Sequence, residues 1–415
     1  MTAPVGTAAP EIRIDRIAAG GDGVGRLPDG RVVFVPRTAA GELVRLRDVR
    51  FARRFARARG AAIVESSPDR VAPRCPHYIA DECGGCQLQH LSAPAQRAAR
   101  AGFVGDALRR IARLEVENPE LEPAQSEFGY RAKLTLTAGP DGTRIGLHPL
   151  ERPDAVFDLE RCPITADRLM ELWTALRGKR DLLPPGLDRL VLRLDRSGGR
   201  HLIAKVRGTT VWTRAEALAT ELDGRGVPSV LWWQPEGGVA RVLAGRPSGA
   251  PAPVFEQVNP IMGDRVRAFA LSRLGPVARA NVWDLYAGIG ETTAELVEAG
   301  ALVESVERDA RSVAYAEAAG PPARRHAGAA EAIIVRLDPP DLVVTNPPRT
   351  GMEAQVAQEI AARRPRRIVY ISCDPATLAR DITRLGSGFR LSEVRAFDLF
   401  PQTAHVESVA VLDRV

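Results

Sequence analysis

Apolar and polar positions follow two different rhythms along this chain. From residue 281 onward, apolar runs at 281–285, 302–306, 342–345 and 367–372 alternate with stretches at 292–299, 310–319, 356–363 and 375–385 whose apolar residues recur at helical spacing. The runs predict strands buried on both faces, and the stretches between them predict helices. A doubly wound, mostly parallel α/β sheet is therefore expected here. Residues 11–65 instead suggest short strands at 11–17, 31–36, 43–49 and 61–65, broken by Gly20-Gly-Asp-Gly-Val-Gly25 and Pro28-Asp-Gly30. About five short strands in so few residues suggest a small closed barrel of the OB type, which serves either as a nucleic-acid module or as a structural cap. Residues 66–92 read as loop and 93–114 as a helix, with Pro94 in its first turn. Between 128 and 246, strand patterns at 133–137, 190–194 and 201–206 mix with a helix near 166–176. Residues 246–253 are rich enough in proline to be a linker.

Charge sharpens this division. The chain of 415 residues carries a net charge of +6, and residues 1–74 account for all of it, with 14 arginines against 8 acidic residues. Seven of those arginines lie between Arg45 and Arg59, opposed only by Asp48. Such a block is either a solvated face or a set of phosphate contacts, and the second reading makes nucleic acid the expected partner. Arginine outnumbers lysine 54 to 3, so the choice of arginine itself says little. No apolar stretch is long enough to cross a membrane, and Met1–Pro10 lacks the basic and apolar regions of a secretory leader. A cytoplasmic, monomeric protein with no membrane association is expected. In such a compartment five cysteines do not suggest a disulfide framework.

Two motifs carry chemistry in the second half. Asp284-Leu-Tyr-Ala-Gly288-Ile-Gly290 ends a strand and opens a helix, and its glycines allow a tight turn and close backbone approach to a ligand. Glu307 ends the next strand, where a carboxylate can take hydrogen bonds from ribose hydroxyls. Thr293 replaces the third glycine of the dinucleotide pattern, which favours an adenosylmethionine-type site over NAD. Cys373, in Ile368-Val-Tyr-Ile-Ser-Cys373-Asp-Pro375, follows an apolar strand at the carboxyl edge of the sheet, where ligands of such sheets bind. A lone cysteine is more often buried packing than a nucleophile. The strand-end position beside a nucleotide motif reverses that preference. A thiolate suits the methylation of uracil, since its addition at carbon 6 loads electron density onto carbon 5. A base must then take the carbon 5 proton. Glu407 is the candidate, with His405 its rival two residues away.

The other cysteines form a set, Cys75-x7-Cys83-Gly-Gly-Cys86 with Cys162 further on. Four thiolates suit zinc or an iron–sulfur cluster, and unrelated free thiols are the plain alternative. A fourth cysteine would close an iron cluster, leaving it structural or sensing and not the methylating agent.

Taken together, these segments resemble the bacterial RNA uridine-5-methyltransferase family, in the branch with an N-terminal TRAM domain and a [4Fe–4S] cluster. The resemblance is carried by Cys83-Gly-Gly-Cys-Gln-Leu-Gln89, Gln257-Val-Asn259, Asp284–Gly290 and Asn346-Pro-Pro-Arg349-Thr-Gly351. It continues through Ser372-Cys-Asp-Pro-Ala-Thr-Leu378 and His405-Val-Glu-Ser408. It implies a TRAM barrel over 1–66, a central α/β domain over 67–92 and 125–250, and a Rossmann-like class I methyltransferase domain over 93–124 and 251–415. It also implies Cys373 as nucleophile and Glu407 as proton acceptor. The S-adenosylmethionine contacts would be Gln257, Tyr286, Gly288, Gly290, Glu291, Glu307 and Asn346, and Cys75, Cys83, Cys86 and Cys162 would hold the [4Fe–4S] cluster. The implied activity is carbon-5 methylation of uridine in RNA, with 23S rRNA as the first substrate expectation and tRNA, or a silent RNA-binding role, as alternatives. Two positions depart from the family pattern. Asn346 stands where an aspartate is usual, and Ala329 where an acidic or amide residue is usual. Asn346-Pro-Pro also resembles the amino-group methyltransferases, but these need an aromatic residue next, where this chain has Arg349.

Overall fold

A computed structural model of the chain describes residues 10–140, 142–247 and 256–415. Most of the expected linker at 246–253 and all but the last residue of the segment tested for a leader lie outside the described residues. Five strands, β1 (Glu11–Ile17), β2 (Gly23–Arg26), β3 (Val32–Val35), β4 (Leu43–Phe51) and β5 (Phe55–Glu65), close into a barrel in the order β1-β2-β3-β5-β4. Its interior is filled by Ile12, Ile14, Val33, Val35, Val44, Leu46, Ala56 and Ala58, each from an inward position of an alternating strand. The strand expected at 61–65 in fact begins at Phe55. Arginine fills the outward positions Arg57 and Arg59, while the short alanines Ala56 and Ala58 face in. The arginine block therefore decorates a long hairpin, with every arginine from Arg45 to Arg59 exposed.

A short helix α1 (Pro76–Ala80) and the long α2 (Ala93–Arg110) follow, then a two-residue strand β6 (Leu121–Glu122). Ser92 caps α2 by accepting the Ala95 N–H at 3.4 Å, and Pro94 sits in its first turn. The helix was expected to reach residue 114. It stops earlier because Arg113 takes a left-handed conformation (φ 59°), and the Leu114 N–H turns back onto the Leu108 carbonyl at 3.2 Å. The chain thus closes back on the last turn of the helix with no glycine at the left-handed position.

The middle of the chain forms a seven-stranded sheet ordered β13-β12-β11-β10-β7-β8-β9. Its strands are β7 (Lys133–Ala138), β8 (Ile145–Leu147), β9 (Phe157–Asp158), β10 (Leu187–Leu194), β11 (Arg200–Val206), β12 (Ser229–Gln234) and β13 (Arg241–Ala244). Helices α3 (Asp167–Arg177) and α4 (Ala215–Gly224) bury Trp173, Leu169 and Leu218 against it, in a core that also contains the four cysteines of the first half.

The last unit is an eight-stranded sheet ordered β16-β15-β14-β17-β18-β20-β19-β6. Its strands are β14 (Asn281–Leu285), β15 (Leu302–Glu307), β16 (Arg324–Ala327), β17 (Leu342–Thr345), β18 (Arg367–Ser372), β19 (Phe389–Phe397) and β20 (Glu407–Arg414). The first five strands in that order are parallel, and β20 inserts antiparallel between β18 and β19. Helices α5 (Pro260–Leu274), α6 (Glu291–Glu298), α7 (Ala310–Ala319), α8 (Ala330–Ile333), α9 (Ala354–Arg363) and α10 (Pro375–Leu385) complete the unit. Its two cores lie on opposite faces of the sheet, as a doubly wound fold requires. The N-terminal half also contributes to this sheet. The strand β6 pairs with β19, and Val104 and Leu108 of α2 share a core with Leu378 and Ile382 of α10.

A buried ion pair fastens this graft. Arg100 on α2 and Asp398 beyond β19 meet at 2.9 Å, with side chains only 1% and 3% exposed. Removing one partner leaves the other charge buried without compensation, the costly way to break such a pair. Replacing Arg100 with methionine is expected to lower the unfolding free energy by about 3 kcal/mol or more. Urea titration checks this, and a loss under about 1 kcal/mol would show that the pair does not hold α2 in place.

Candidate active site

The nucleotide turn forms where β14 ends. Tyr286 adopts a left-handed conformation (φ 64°) between Leu285 and the glycines, and Gly288 and Gly290 follow at φ 58° and 82°. At Gly290 a Cβ would come within 3.0 Å of the Ala316 Cβ, so α6 and α7 can approach only over glycine. Glu307, at the tip of β15, accepts the Gly288 N–H at 2.9 Å on one carboxylate oxygen and the Asp309 N–H at 2.7 Å on the other. Both oxygens are thereby fixed in direction, and each keeps a lone pair for a ligand. Asp284 is fully buried, and burial raises its carboxyl to about 6 against the opposing bond from Thr293. The Thr293 hydroxyl donates to it at 2.6 Å, which explains the threonine where a dinucleotide site carries glycine.

Asp284, Tyr286, Gly288 and Glu307, but not Gly290 or Thr293, line a cavity of about 1020 Å³ that also reaches Gln257, Asn346, Cys373 and Glu407. Gln257 fits because α5 carries glycine opposite it, where a Cβ on Gly263 would stand 2.9 Å from the Gln257 Cβ. Asn346 hangs from the end of β17, its N–H bonded to the Leu285 carbonyl at 3.2 Å. Ala329 opens α8 at the same cavity and offers no polar side chain, although Glu331 lines the wall nearby. Glu291 differs from the rest of the expected cofactor set. Its carboxylate is taken up by Arg196 at 2.5 Å and Arg267 at 2.9 Å, which bridge the central sheet to α5 and α6.

Strand pairing brings the two ends of the chemistry together. The β18–β20 register aligns Ser372 with Ser408, and one further step sets Cys373 across from Glu407. Cys373 is half-buried and is the only cysteine not fully buried. Burial first, then the neighbouring Glu407, pushes its thiol up to about 11, while the Arg349 guanidinium pulls the other way. Glu407 is 2% exposed, and burial raises it to about 8, again against Arg349. His405 lies before β20 begins, not on it, and is half-buried against Phe400. An Arg349 N–H points at His405 Nε2 at 3.5 Å, and burial and that guanidinium keep the imidazole below its ordinary value.

Sequence reasoning assigned no role to Arg349, the one cation acting on all three groups. Its loop is held by the buried Asp381 of α10, which accepts the Met352 N–H at 2.7 Å and the Tyr370 hydroxyl at 2.8 Å. Arg380 closes the loop on the Thr350 carbonyl at 2.7 Å. Gly351 is required here (φ 76°), since a Cβ would lie 2.4 Å from an Asp381 oxygen. Only the Pro-Pro-Arg spacing after β17 could have pointed to this arginine.

Cys75, Cys83, Cys86 and Cys162 line the far wall of the same cavity, all buried. Burial raises Cys83 to about 11 and pushes Cys75 and Cys86 upward, and the nearby Cys162 adds to the rise in all three. Among the described residues, no three histidine, cysteine or acidic side chains converge closely enough to hold a single metal ion. No helix among them is long and apolar enough to cross a membrane.

A parallel sheet ordered 16-15-14-17-18 with an antiparallel strand inserted beyond it, a glycine turn after its central strand and an acid at the tip of the next, defines a class I methyltransferase fold. The family described as tRNA (Uracil-5-)-methyltransferase matches residues 336–415. An uncharacterized RNA methyltransferase of Thermosynechococcus vestitus is 33% identical over 97% of this chain and 97% of its own. The 23S rRNA (uracil(1939)-C(5))-methyltransferase of Azoarcus sp. is 31% identical over 98% of this chain and all of its own length. The chain belongs to the RNA uracil-5-methyltransferase family. The crystal structure of the Pyrococcus abyssi tRNA (uracil-54, C5)-methyltransferase in complex with S-adenosyl-L-homocysteine shares the fold, at TM-score 0.72 and 22% identity over 97% of this chain and 99% of that one.

The raised carboxyl of Glu407 has a consequence for stability. A folded-state carboxyl held above its ordinary value of 4.5 favours folding while protonated. That contribution is complete below about pH 4.5 and disappears as pH climbs towards about 8. Glu407→Gln should therefore be more stable than the parent by a margin that grows from pH 5 to pH 8. Thermal unfolding at the two pH values checks this, and a margin that shrinks with pH would contradict the burial of a bare carboxylate.

Proposed function

We propose that this protein methylates carbon 5 of a uridine in RNA, with large-subunit ribosomal RNA as substrate, through a covalent adduct at Cys373. The observation that carries this reading is the opposition of Cys373 and Glu407 at the mouth of the nucleotide turn. Bound S-adenosylmethionine would supply the methyl group, with Glu307 on its ribose hydroxyls and Gln257, Tyr286, Gly288, Gly290 and Asn346 around it. The Cys373 sulfur adds to carbon 6 and turns the base into an enolate whose electron density lies on carbon 5, which takes the methyl group. At neutral pH a Glu407 carboxyl near 8 is mostly protonated, and its ionised fraction, which Arg349 favours, is the base for the next step. It accepts the carbon 5 proton, the electron pair re-forms the carbon 5–carbon 6 double bond, and Cys373 leaves as thiolate. Because burial holds the free thiol protonated, Cys373 gives its proton to solvent before the attack, and Arg349 is the cation that favours the resulting thiolate. A uridine can reach this pocket only when flipped out of any stack. The ribosomal choice is supported by the full-length similarity to the Azoarcus enzyme. The exposed arginines of the β4–β5 hairpin would give the barrel its phosphate contacts.

Cys75, Cys83, Cys86 and Cys162, all buried along one cavity, would hold a [4Fe–4S] cluster, whose cube takes one thiolate at each of four corners. Burial penalises bare thiolates there, and the iron charge would offset that penalty.

RNA carrying 5-fluorouridine should form a denaturant-stable complex with the parent and none with Cys373→Ala. Normal capture by that variant would sink the covalent mechanism. Protein purified without oxygen should carry about four irons and lose them in Cys162→Ser. A colourless preparation containing zinc would overturn the cluster assignment.

A further inference from the structure

The segment that leads into Glu407 has a local turn, in which the Thr403 hydroxyl donates to the Phe400 carbonyl at 2.9 Å and accepts the His405 N–H at 3.2 Å, but its further supports are remote in sequence. It is held from the other end of the chain. Gln96 on α2 is 3% exposed and faces Gln402, also 3% exposed. The Gln96 amide donates to the Gln402 side-chain oxygen at 3.0 Å, and its own oxygen accepts the Gln402 N–H at 3.0 Å. This reciprocal pair holds Gln402 in a left-handed conformation (φ 72°) that a glutamine does not choose freely. One residue after Cys86, the Gln87 side chain accepts the Ala404 N–H at 3.2 Å, and the Leu88 N–H bonds the Gln402 carbonyl at 3.0 Å. Gln87 also donates to the Gly84 carbonyl at 2.7 Å, and Gln89 accepts the Cys75 N–H at 3.2 Å. The run Cys86-Gln-Leu-Gln89 thus faces two ways, gripping the cysteine loop on one side and the approach to Glu407 on the other.

We infer that Gln87 and Gln96 are positioning residues for the proton-accepting half of the reaction, holding residues 402–407 so that Glu407 meets carbon 5. This deepens the function proposed above and rests on it. Neither glutamine touches the Cys373 turn, which is held by the Ser372 hydroxyl donating to the Asp374 carbonyl at 2.9 Å and by the Asp374 carboxylate accepting the Ala376 and Thr377 N–H groups at 2.9 Å. The two halves of the chemistry therefore hang on separate supports. Loosening the first support should leave nucleophilic attack intact and slow release of the product.

Two measurements on the full-length protein separate these halves. Capture of 5-fluorouridine RNA reads Cys373 alone, and decay of the covalent species on unmodified uridine RNA, with S-adenosylmethionine present, reads Glu407. Gln87→Met and Gln96→Met should capture within about threefold of the parent, while their covalent species on uridine RNA lasts at least about tenfold longer. Gln402→Gly removes the side-chain partner while relieving the left-handed backbone, and should give the same split if the methionine variants do not fold. Capture and release that fall together, or release at parental speed, would overturn the inference. Glu407→Gln serves as the reference. If it also releases RNA at parental speed, the functional reading falls and takes this inference with it. If it accumulates adduct and the glutamine variants do not, only the inference falls.

Discussion

The pairing of β20 with β18 is the constraint from which the site follows. In a parallel sheet each strand delivers its carboxyl end to the same edge, so two strand ends meet there only as neighbours. An antiparallel insertion works differently. It brings the amino end of β20 to the carboxyl end of β18, and the register of that ladder sets Cys373 opposite Glu407. A slip of one residue would turn Glu407 to the other face of the sheet. In this register the buried Ser408 hydroxyl donates to the carbonyl of its partner Ser372 at 3.3 Å.

Around that pairing the protein buries charge in compensated groups. Asp381 is enclosed by Arg380, Arg384, Tyr370 and the Met352 amide, and this knot carries the loop of Arg349. Arg349 in turn is the counter-charge for Cys373 and Glu407. On the opposite side, Arg100 and Asp398 neutralise one another beneath the segment that approaches Glu407, and Arg100 also donates to the Thr403 carbonyl at 3.0 Å. The low dielectric that makes each group expensive to bury also gives a single guanidinium its leverage over a thiol and a carboxyl.

How much of this could be read from the residues depended on the range of the interaction. The runs at Asn281–Leu285, Leu342–Thr345 and Arg367–Ser372 stood out because central parallel strands are apolar on both faces. Glu307 and Cys373 could be found from their strand-end positions, since the sheet edge is where such folds bind. The start of β5 at Phe55 was hidden because arginine on the outward positions and alanine on the inward ones blur the alternation. The early end of α2 was hidden because Arg113, not glycine, takes the left-handed turn. Thr293 read as a missing glycine until its bond to Asp284 was seen. Glu291 lines the cavity as expected of a cofactor contact, but its pairing with Arg196, 95 residues away in sequence, has no local mark. Gln96 and Gln402 are separated by 306 positions, and no local pattern marks a pair at that distance.

The graft of α2 and β6 onto the C-terminal sheet also bears on how the chain is made. A ribosome delivers α2 long before it delivers β19 and β20, and domains fold as they emerge. The barrel can close early, since its strands lie within residues 11–65. The face of α2 carrying Val104 and Leu108, by contrast, must wait uncovered until α10 and β20 exist. Throughout that interval the nascent chain carries an unfinished apolar seam. The methylating centre is thus completed only after the barrel and the whole central sheet have been made.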